Sequence, residues 1–151
     1  MLFWLMDQAQ ARLTGCEEAG LSQCGDSGAP IYARQQRKVS MSDHNMNECI
    51  DNCIKCAVVC VETVKHCLTK GGQHASPEHI GLLQTCADIC TVSANAMLRG
   101  IEGHKVTCGA CAEICRQCAE ACERMGDDEA MRRCAEACRR CAESCAQMAS
   151  M

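Results

Sequence analysis

Cysteines recur at alternating steps of three and four residues through most of the chain, and this spacing constrains the fold more than any other feature. The stretch CGACAEICRQCAEAC, residues 108–122, carries five cysteines and no proline or aromatic residue. Side chains three and four positions apart share one face of an α-helix, and in a bundle that face is directed at the axis. Sixteen of the 18 cysteines are therefore predicted to line a helical core: Cys49, Cys53, Cys56, Cys60, Cys67, Cys86, Cys90, Cys108, Cys111, Cys115, Cys118, Cys122, Cys134, Cys138, Cys141 and Cys145.

Capping residues and glycines divide residues 42–151 into four predicted helices. Short connections between long helices imply antiparallel neighbours, so the predicted fold is all-α, an up-down-up-down four-helix bundle with a cysteine-lined core. The expected helices and their boundary signals are 43–70 with Ser42 as N-cap, 77–99 with Ser76 as N-cap and Pro77 first, 104–125 closed by Gly126, and 128–148 with Asp127 as N-cap.

Residues 1–41 differ in composition from the predicted bundle domain, residues 42–151. They contain the single Phe, Trp and Tyr of the chain and show no sustained period. We expect a poorly ordered or weakly helical N-terminal extension, in which Cys16 and Cys24 have no assigned role.

The placement of the cysteines argues against a secreted disulfide scaffold, although their share exceeds the roughly 8–10% that marks such proteins. Scaffold cysteines lie among loops, whereas these lie inside helices. The N-terminal MLFWLM has no basic flank and is followed by Asp7, so a reducing cytoplasm is the expected compartment. The net charge of −4 and pI of about 5.7 favour neither nucleic acid nor an anionic membrane as partner, and no apolar run is long enough to span a membrane.

A column of thiols has four interpretations. Cysteine as a small core filler would bury much less apolar area than leucine. Disulfides between neighbours on one helix are excluded by the Cβ separation of about 5–6 Å. A thiol oxidoreductase using Cys108 and Cys111 would need one pair, not a column. Soft metals remain, either zinc and cadmium or Cu(I), and Cu(I) fits a continuous lining best because each monovalent ion neutralises about one thiolate. No catalytic set of side chains is evident, so no enzymatic activity is expected.

The stretches CIDNCIKCAVVC, CGACAEICRQCAEAC and CAEACRRCAESC resemble those of the copper storage proteins. This resemblance covers roughly residues 42–149 and implies a four-helix bundle that stores many Cu(I) ions, with the cytosolic branch as the nearest in character. It also implies a homotetramer. The partners expected are copper ions, further copies of the chain and a copper chaperone as delivery protein.

Extending the cysteine seams beyond the last thiols predicts where copper enters the bundle. Thioether and imidazole groups bind Cu(I) without losing a proton, which suits a mouth that passes ions to thiolates. The seams place His79, Leu83, Met125 and Met131 at the opposite end. The residues predicted to form the mouth are Met46, Met97, His104 and Met148.

An apolar stripe on the first helix points away from its cysteine face. It predicts either a contact between subunits or a helix buried more deeply in a single bundle. Its members are Ile54, Val58, Val61 and Leu68.

Overall fold

Four long helices account for almost all of residues 40–151, the part of the chain that the computed structural model describes. The prediction for the N-terminal extension falls almost wholly outside these residues. A short 3₁₀ turn, Gly72–Ala75, lies between the first two helices. The α-helices are α1 (Met41–Lys70), α2 (Pro77–Leu98), α3 (His104–Glu123) and α4 (Glu129–Ser150).

The helices pack in the predicted antiparallel order. Helix α1 lies against α2 and α4, and α3 lies against the same two helices. Within residues 40–151 the backbones of diagonal helices, α1 with α3 and α2 with α4, do not approach closely, because the axis between them is filled by side chains. This arrangement confirms the up-down-up-down bundle.

The start of α1 differs from the prediction. Ser40, not Ser42, is the N-cap, and the helix begins at Met41. The Ser40 hydroxyl accepts a hydrogen bond from the Asp43 backbone N–H at 3.1 Å, and the Asp43 carboxylate accepts one from the Ser40 N–H at 3.3 Å. This reciprocal capping box outcompetes a cap at Ser42, which offers no such partner three residues later.

The connection between α3 and α4 is longer than predicted. Helix α3 ends at Glu123 rather than Met125, and the N-cap of α4 is Asp128 rather than Asp127. The Asp128 carboxylate accepts hydrogen bonds from the N–H groups of Ala130 at 2.9 Å and Met131 at 3.4 Å. Helix α4 then continues to Ser150, two residues beyond the predicted end. Helix α2 begins as predicted, with the Ser76 hydroxyl accepting from His79 N–H at 3.3 Å.

Two successive glycines make the turn after α1 possible. Gly71 and Gly72 have φ of 75° and 59°, in the left-handed region that residues with a Cβ rarely adopt. The Gly71 N–H donates to the Cys67 carbonyl at 2.9 Å and so closes the last turn of the helix. The two glycines thus reverse the chain within a few residues and fix the register between α1 and α2.

None of the helices in residues 40–151 combines the length and the apolar character that crossing a membrane requires.

Candidate metal centre

The axis of the bundle is a column of sulfur atoms. All sixteen cysteines of the described region have no solvent exposure, and all are free thiols. Alanine fills much of the remaining interior, and the largest fully buried side chains are Leu83, Met131 and Met148. The predicted cysteine-lined core is therefore confirmed, with the bulkier apolar side chains confined to its ends.

Thiols from different helices lie within reach of one another. The Sγ atoms of Cys53 and Cys145 are 3.4 Å apart, those of Cys90 and Cys115 are 3.5 Å apart, and those of Cys56 and Cys138 are 3.6 Å apart. These separations are longer than the S–S bond of about 2.05 Å. They match the roughly 4 Å that separates sulfurs bound to one ion through bonds of about 2.3 Å.

The close thiols form five groups, each of which shares members with the next, and only Cys67 and Cys122 of the sixteen lie outside them. In each group the sulfur atoms all lie within 4.8 Å of one another. The first and second groups share Cys145, the second and third share Cys141, the third and fourth share Cys56, and the fourth and fifth share Cys60 and Cys138. An ion bound in one group would therefore share a ligand with an ion in the next. In order along the axis they are Cys49/Cys108/Cys145, Cys53/Cys111/Cys141/Cys145, Cys56/Cys90/Cys115/Cys141, Cys56/Cys60/Cys86/Cys138 and Cys60/Cys118/Cys134/Cys138.

Hydrogen bonds between thiols run along the column, and in most of them either sulfur can be the donor. A hydrogen bond from Cys115 is the main cause of the lowered pKa of Cys56 and of Cys86, because a donated S–H stabilises a thiolate. Hydrogen bonding to Cys111 is the main cause of the raised pKa of Cys90 and Cys115. Each arriving cation would displace a thiol proton, because metals bind the deprotonated form of cysteine.

The four residues predicted to form a mouth lie at one level of the bundle. Cys53, Cys90, Cys111 and Cys141 form one layer of the column, in which the Sγ atoms of Cys53 and Cys141 are 3.7 Å apart and those of Cys90 and Cys111 are 3.6 Å apart. Each of the four predicted residues lies seven positions along its helix from one of these cysteines. Seven residues return a helix to the same face two turns along the axis. We call this set the mouth layer: Met46, Met97, His104 and Met148.

The mouth layer is partly open to solvent. Met97 and Met148 are buried, whereas Met46 and His104 are half-buried. The Nδ1 atom of His104 donates a hydrogen bond of 2.6 Å to the Ile101 carbonyl, since a carbonyl can only accept. In the neutral ring this leaves the lone pair of Nε2 free, which is the form in which imidazole binds a metal.

The opposite end contains a polar cluster that the sequence analysis did not predict. The Asp128 carboxylate contacts the ammonium of Lys70, the Nε2 atom of His66 at 3.0 Å and the Nε2 atom of His74 at 3.4 Å. It thereby connects the end of α1, the 3₁₀ turn and the start of α4. Hydrogen bonding from Lys70, and then from His66, lowers the pKa of Asp128. The only sequence signal was the pair Asp127-Asp128, which marks a helix start but gives no cross-helix partner.

His79 is the second feature whose environment sequence reasoning missed. The residue retains 4% of its exposure, and neither ring nitrogen has a hydrogen-bond partner. Buried polar groups in proteins are normally paired, so an unpaired imidazole at the end of a thiol column requires an explanation.

The donor set of the column selects soft metal ions. Thiolates favour Cu(I), zinc and iron–sulfur clusters over hard cations, and a dry core requires that bound charge be nearly balanced. Monovalent ions meet that requirement with about one thiolate each, while a zinc ion held by four thiolates leaves a charge of about −2. The shared groups are thus suited to many monovalent soft ions held side by side.

Comparisons with known proteins agree with this chemistry. The copper storage protein family matches residues 42–150. A solved structure of a protein from Nitrosospira multiformis is 42% identical, covering 72% of this chain and 97% of its own, with a TM-score of 0.67. Cu(I)-bound BsCsp3, a copper storage protein from Bacillus subtilis, is 36% identical over 70% of this chain and 98% of its own, with a TM-score of 0.65.

A third relative comes from Streptomyces lividans. It is a cytosolic copper storage protein captured with five coppers, and it is 31% identical over 72% of this chain and 94% of its own, with a TM-score of 0.63. A comparison with curated protein sequences gives no significant match. The family match spans most of the chain and coincides with the thiol-lined bundle, so the chain belongs to the copper storage protein family.

Proposed function

We propose that this protein stores several Cu(I) ions in the cytosol, bound by the thiolates of its core, without catalysing a reaction. The observation that carries the proposal is the continuity of the column, in which each of five neighbouring thiol groups shares members with the next. A protein that needed one structural ion would require one closed group of four ligands. A shared lining instead provides adjacent sites for many ions.

The proposed ligands are the sixteen core cysteines named above. Cu(I) accepts two or three sulfur ligands, and the cross-helix Sγ distances of 3.4 to 4.0 Å suit such coordination without moving a helix. The relatives support the same cargo and compartment, because one is a Cu(I)-bound storage protein and another is described as cytosolic.

Anaerobic titration of the reduced full-length chain with Cu(I), against a chromophoric Cu(I) chelator, tests this proposal. We expect tight binding of well over four ions per chain, since four-thiolate sites of the zinc type would saturate sixteen thiols at about four. Saturation at four or fewer would contradict storage and favour a zinc or cadmium protein.

The same titration separates storage from thiol redox chemistry. Alanine at both Cys108 and Cys111 would abolish the function of an oxidoreductase that depends on this pair. Under storage, the copper capacity falls only in proportion to the thiols removed, because the other groups of the column remain intact.

Copper enters, in this proposal, at the mouth layer. His104 offers a free Nε2 lone pair, and the buried thioethers of Met97 and Met148 share its layer, next to the first thiols, Cys49 and Cys108. Uncharged ligands hold a cation without proton release, so they transfer it readily to the thiols below. A copper chaperone is the proposed delivery partner, and the half-exposed Met46 and His104 are where ligand exchange with it would begin.

The apolar stripe of α1 supports the proposed self-association into a tetramer. Ile54, Val58, Val61 and Leu68 are 49%, 52%, 63% and 59% exposed, which rules out the alternative of a deeply buried first helix in the single bundle. Exposed apolar side chains in a row on one helix are typical of a protein interface. Sedimentation of the wild type and of Val58→Lys tests this, with a smaller assembly expected for the variant.

A further inference from the structure

The end of the bundle opposite the mouth layer follows the same heptad register. Cys56, Cys86, Cys115 and Cys138 form one layer of the column. Seven residues farther from the mouth layer, each of the four helices places another side chain on its inward face. We call this set the far layer: Thr63, His79, Cys122 and Met131.

The register between α2 and α3 brings His79 and Cys122 to the same level. Cys86 and Cys115 face each other at 3.6 Å, and Cys90 and Cys111 face each other at 3.6 Å one turn away. In an antiparallel pair, a residue seven earlier on α2 lies opposite a residue seven later on α3. Applied to Cys86 and Cys115, this rule pairs His79 with Cys122.

The far layer is buried, and none of its side chains belongs to the five shared groups. Cys122 and Met131 have no exposure, and Thr63 and His79 retain 4% each. The Thr63 hydroxyl is already bonded to the Val59 carbonyl at 2.7 Å. Cys122 belongs to none of the five shared groups, and His79 has two unpaired ring nitrogens. One thiol, one imidazole and one thioether at this level therefore lie outside the five shared groups, and Cys118 and Cys134 are the neighbouring thiols of Cys122.

We propose that His79 and Cys122 bind a terminal Cu(I) ion, with the Met131 sulfur beside it, and so close the column with a mixed nitrogen and sulfur site. Two-coordinate Cu(I) needs only these two donors, and the thioether completes a trigonal site. One thiolate neutralises one monovalent ion, while neutral imidazole and thioether add no charge, so the filled site is uncharged in its buried surroundings. Binding exchanges the Cys122 S–H proton for the metal and leaves oxidation states unchanged.

The local electrostatics agree with this site. Burial lowers the pKa of His79, and the charge of Cys134 opposes only part of that shift. Cys134 lies in the last of the five shared groups, so the far layer continues the column rather than standing apart from it.

The inference rests on the proposed Cu(I) storage, and one set of titrations separates the two. The full-length variants His79→Leu, Cys122→Ala and the double variant are titrated anaerobically with Cu(I) beside the wild type. Each single variant is expected to bind about one ion fewer per chain, and the double variant the same one fewer, because both residues serve one ion. His44→Leu, an exposed histidine of α1, is the matched control and should bind as many ions as the wild type.

Three outcomes would overturn the site. Wild-type capacity in both single variants would show that no ion depends on the pair, and a loss of two ions in the double variant would show independent sites. The third outcome is measured by NMR on the wild type alone, so it does not depend on whether a variant folds. If the Hε1 resonance of the His79 ring does not move on full Cu(I) loading, ligation by His79 is excluded. If the wild type itself bound few Cu(I) ions, the storage proposal would fail before this one was reached.

Discussion

The mouth layer and the far layer contain one histidine each, and the two side chains have opposite environments. His104 in the mouth layer is half-buried, and its Nδ1 atom is fixed by the Ile101 carbonyl. His79 in the far layer is buried with both nitrogens unpaired. The same heptad register therefore produces one hydrated, hydrogen-bonded imidazole and one dry, unsatisfied imidazole, which suits the first for exchange of metal and the second for retention.

Topology explains why the ends differ. In an up-down-up-down bundle the far end receives two connections, residues 71–76 and 124–128, whereas the mouth end receives one, residues 99–103. The two far connections are joined through Asp128, which contacts His74 of the 3₁₀ turn and Lys70 of α1. The mouth connection is joined to the bundle by His104 and by Ser93, whose hydroxyl donates to the Thr107 carbonyl at 3.0 Å.

The largest effect on stability is expected from His79→Leu in the copper-free protein. Removing an unsatisfied buried imidazole should raise the free energy of unfolding by about 1 to 3 kcal/mol, the usual cost of an unpaired buried polar group. The measurement is urea unfolding of reduced, metal-free protein under anaerobic conditions. The same variant is expected to lose copper capacity, so stability and capacity change in opposite directions.

His104→Leu is the comparison for that measurement. It removes the hydrogen bond to Ile101, so the free energy of unfolding should fall by about 1 kcal/mol rather than rise. Equal shifts of the same sign in both variants would mean that the two histidines do not differ as the structure shows.

The sequence predicts the column more completely than it predicts the ends. The steps of three and four place all sixteen thiols in the core correctly, because helical geometry alone determines which side chains share a face. The cap at Ser76 followed by Pro77 is also correct, since no neighbouring residue competes for it. Ser42 and Asp127 are wrong as caps, because Ser40 and Asp128 are chemically equivalent alternatives one or two residues away.

The environments of the two histidines could not be predicted from the sequence. The pairing of His104 depends on the position of a loop carbonyl, and the isolation of His79 depends on which side chains surround it in three dimensions. The contact between Asp128 and Lys70 likewise joins residues 58 positions apart. Spacing along one helix determines a face but not the partners across the bundle.

The next effect concerns the rate of copper uptake at the mouth layer. Leucine at Met46, Met97 and Met148 preserves volume but removes the thioether ligands. We expect an unchanged number of bound Cu(I) ions and loading slowed by at least about tenfold, equivalent to about 1.4 kcal/mol of activation free energy. Stopped-flow absorbance of the copper–thiolate bands measures the rate.

Met125→Leu is the matched control at the opposite end. Its side chain is half-buried beside the α3–α4 connection, and its replacement should leave the loading rate unchanged. A mouth variant that loads as fast as the wild type, or a Met125 variant that loads slowly, would reverse the assignment of the two ends.

The smallest effect is expected from Asp128, which stabilises the far end through its cap and its ion pairs. Asp128→Ala should lower the free energy of unfolding by about 1 kcal/mol, the typical cost of losing an N-cap. Asp128→Asn retains a capping oxygen but not the charge, and should cost less.

The folded pKa of Asp128 is lowered, with the Lys70 ammonium as the main cause, so its charge stabilises the fold at any pH above the unfolded value of about 3.9. That contribution is lost as pH falls from this value through the folded pKa. The stability difference between the wild type and Asp128→Asn, from urea unfolding of metal-free protein, should therefore be present at neutral pH and shrink as the pH falls below about 3.9. A difference that does not shrink in that acidic range would mean that the carboxylate does not stabilise this end by its charge.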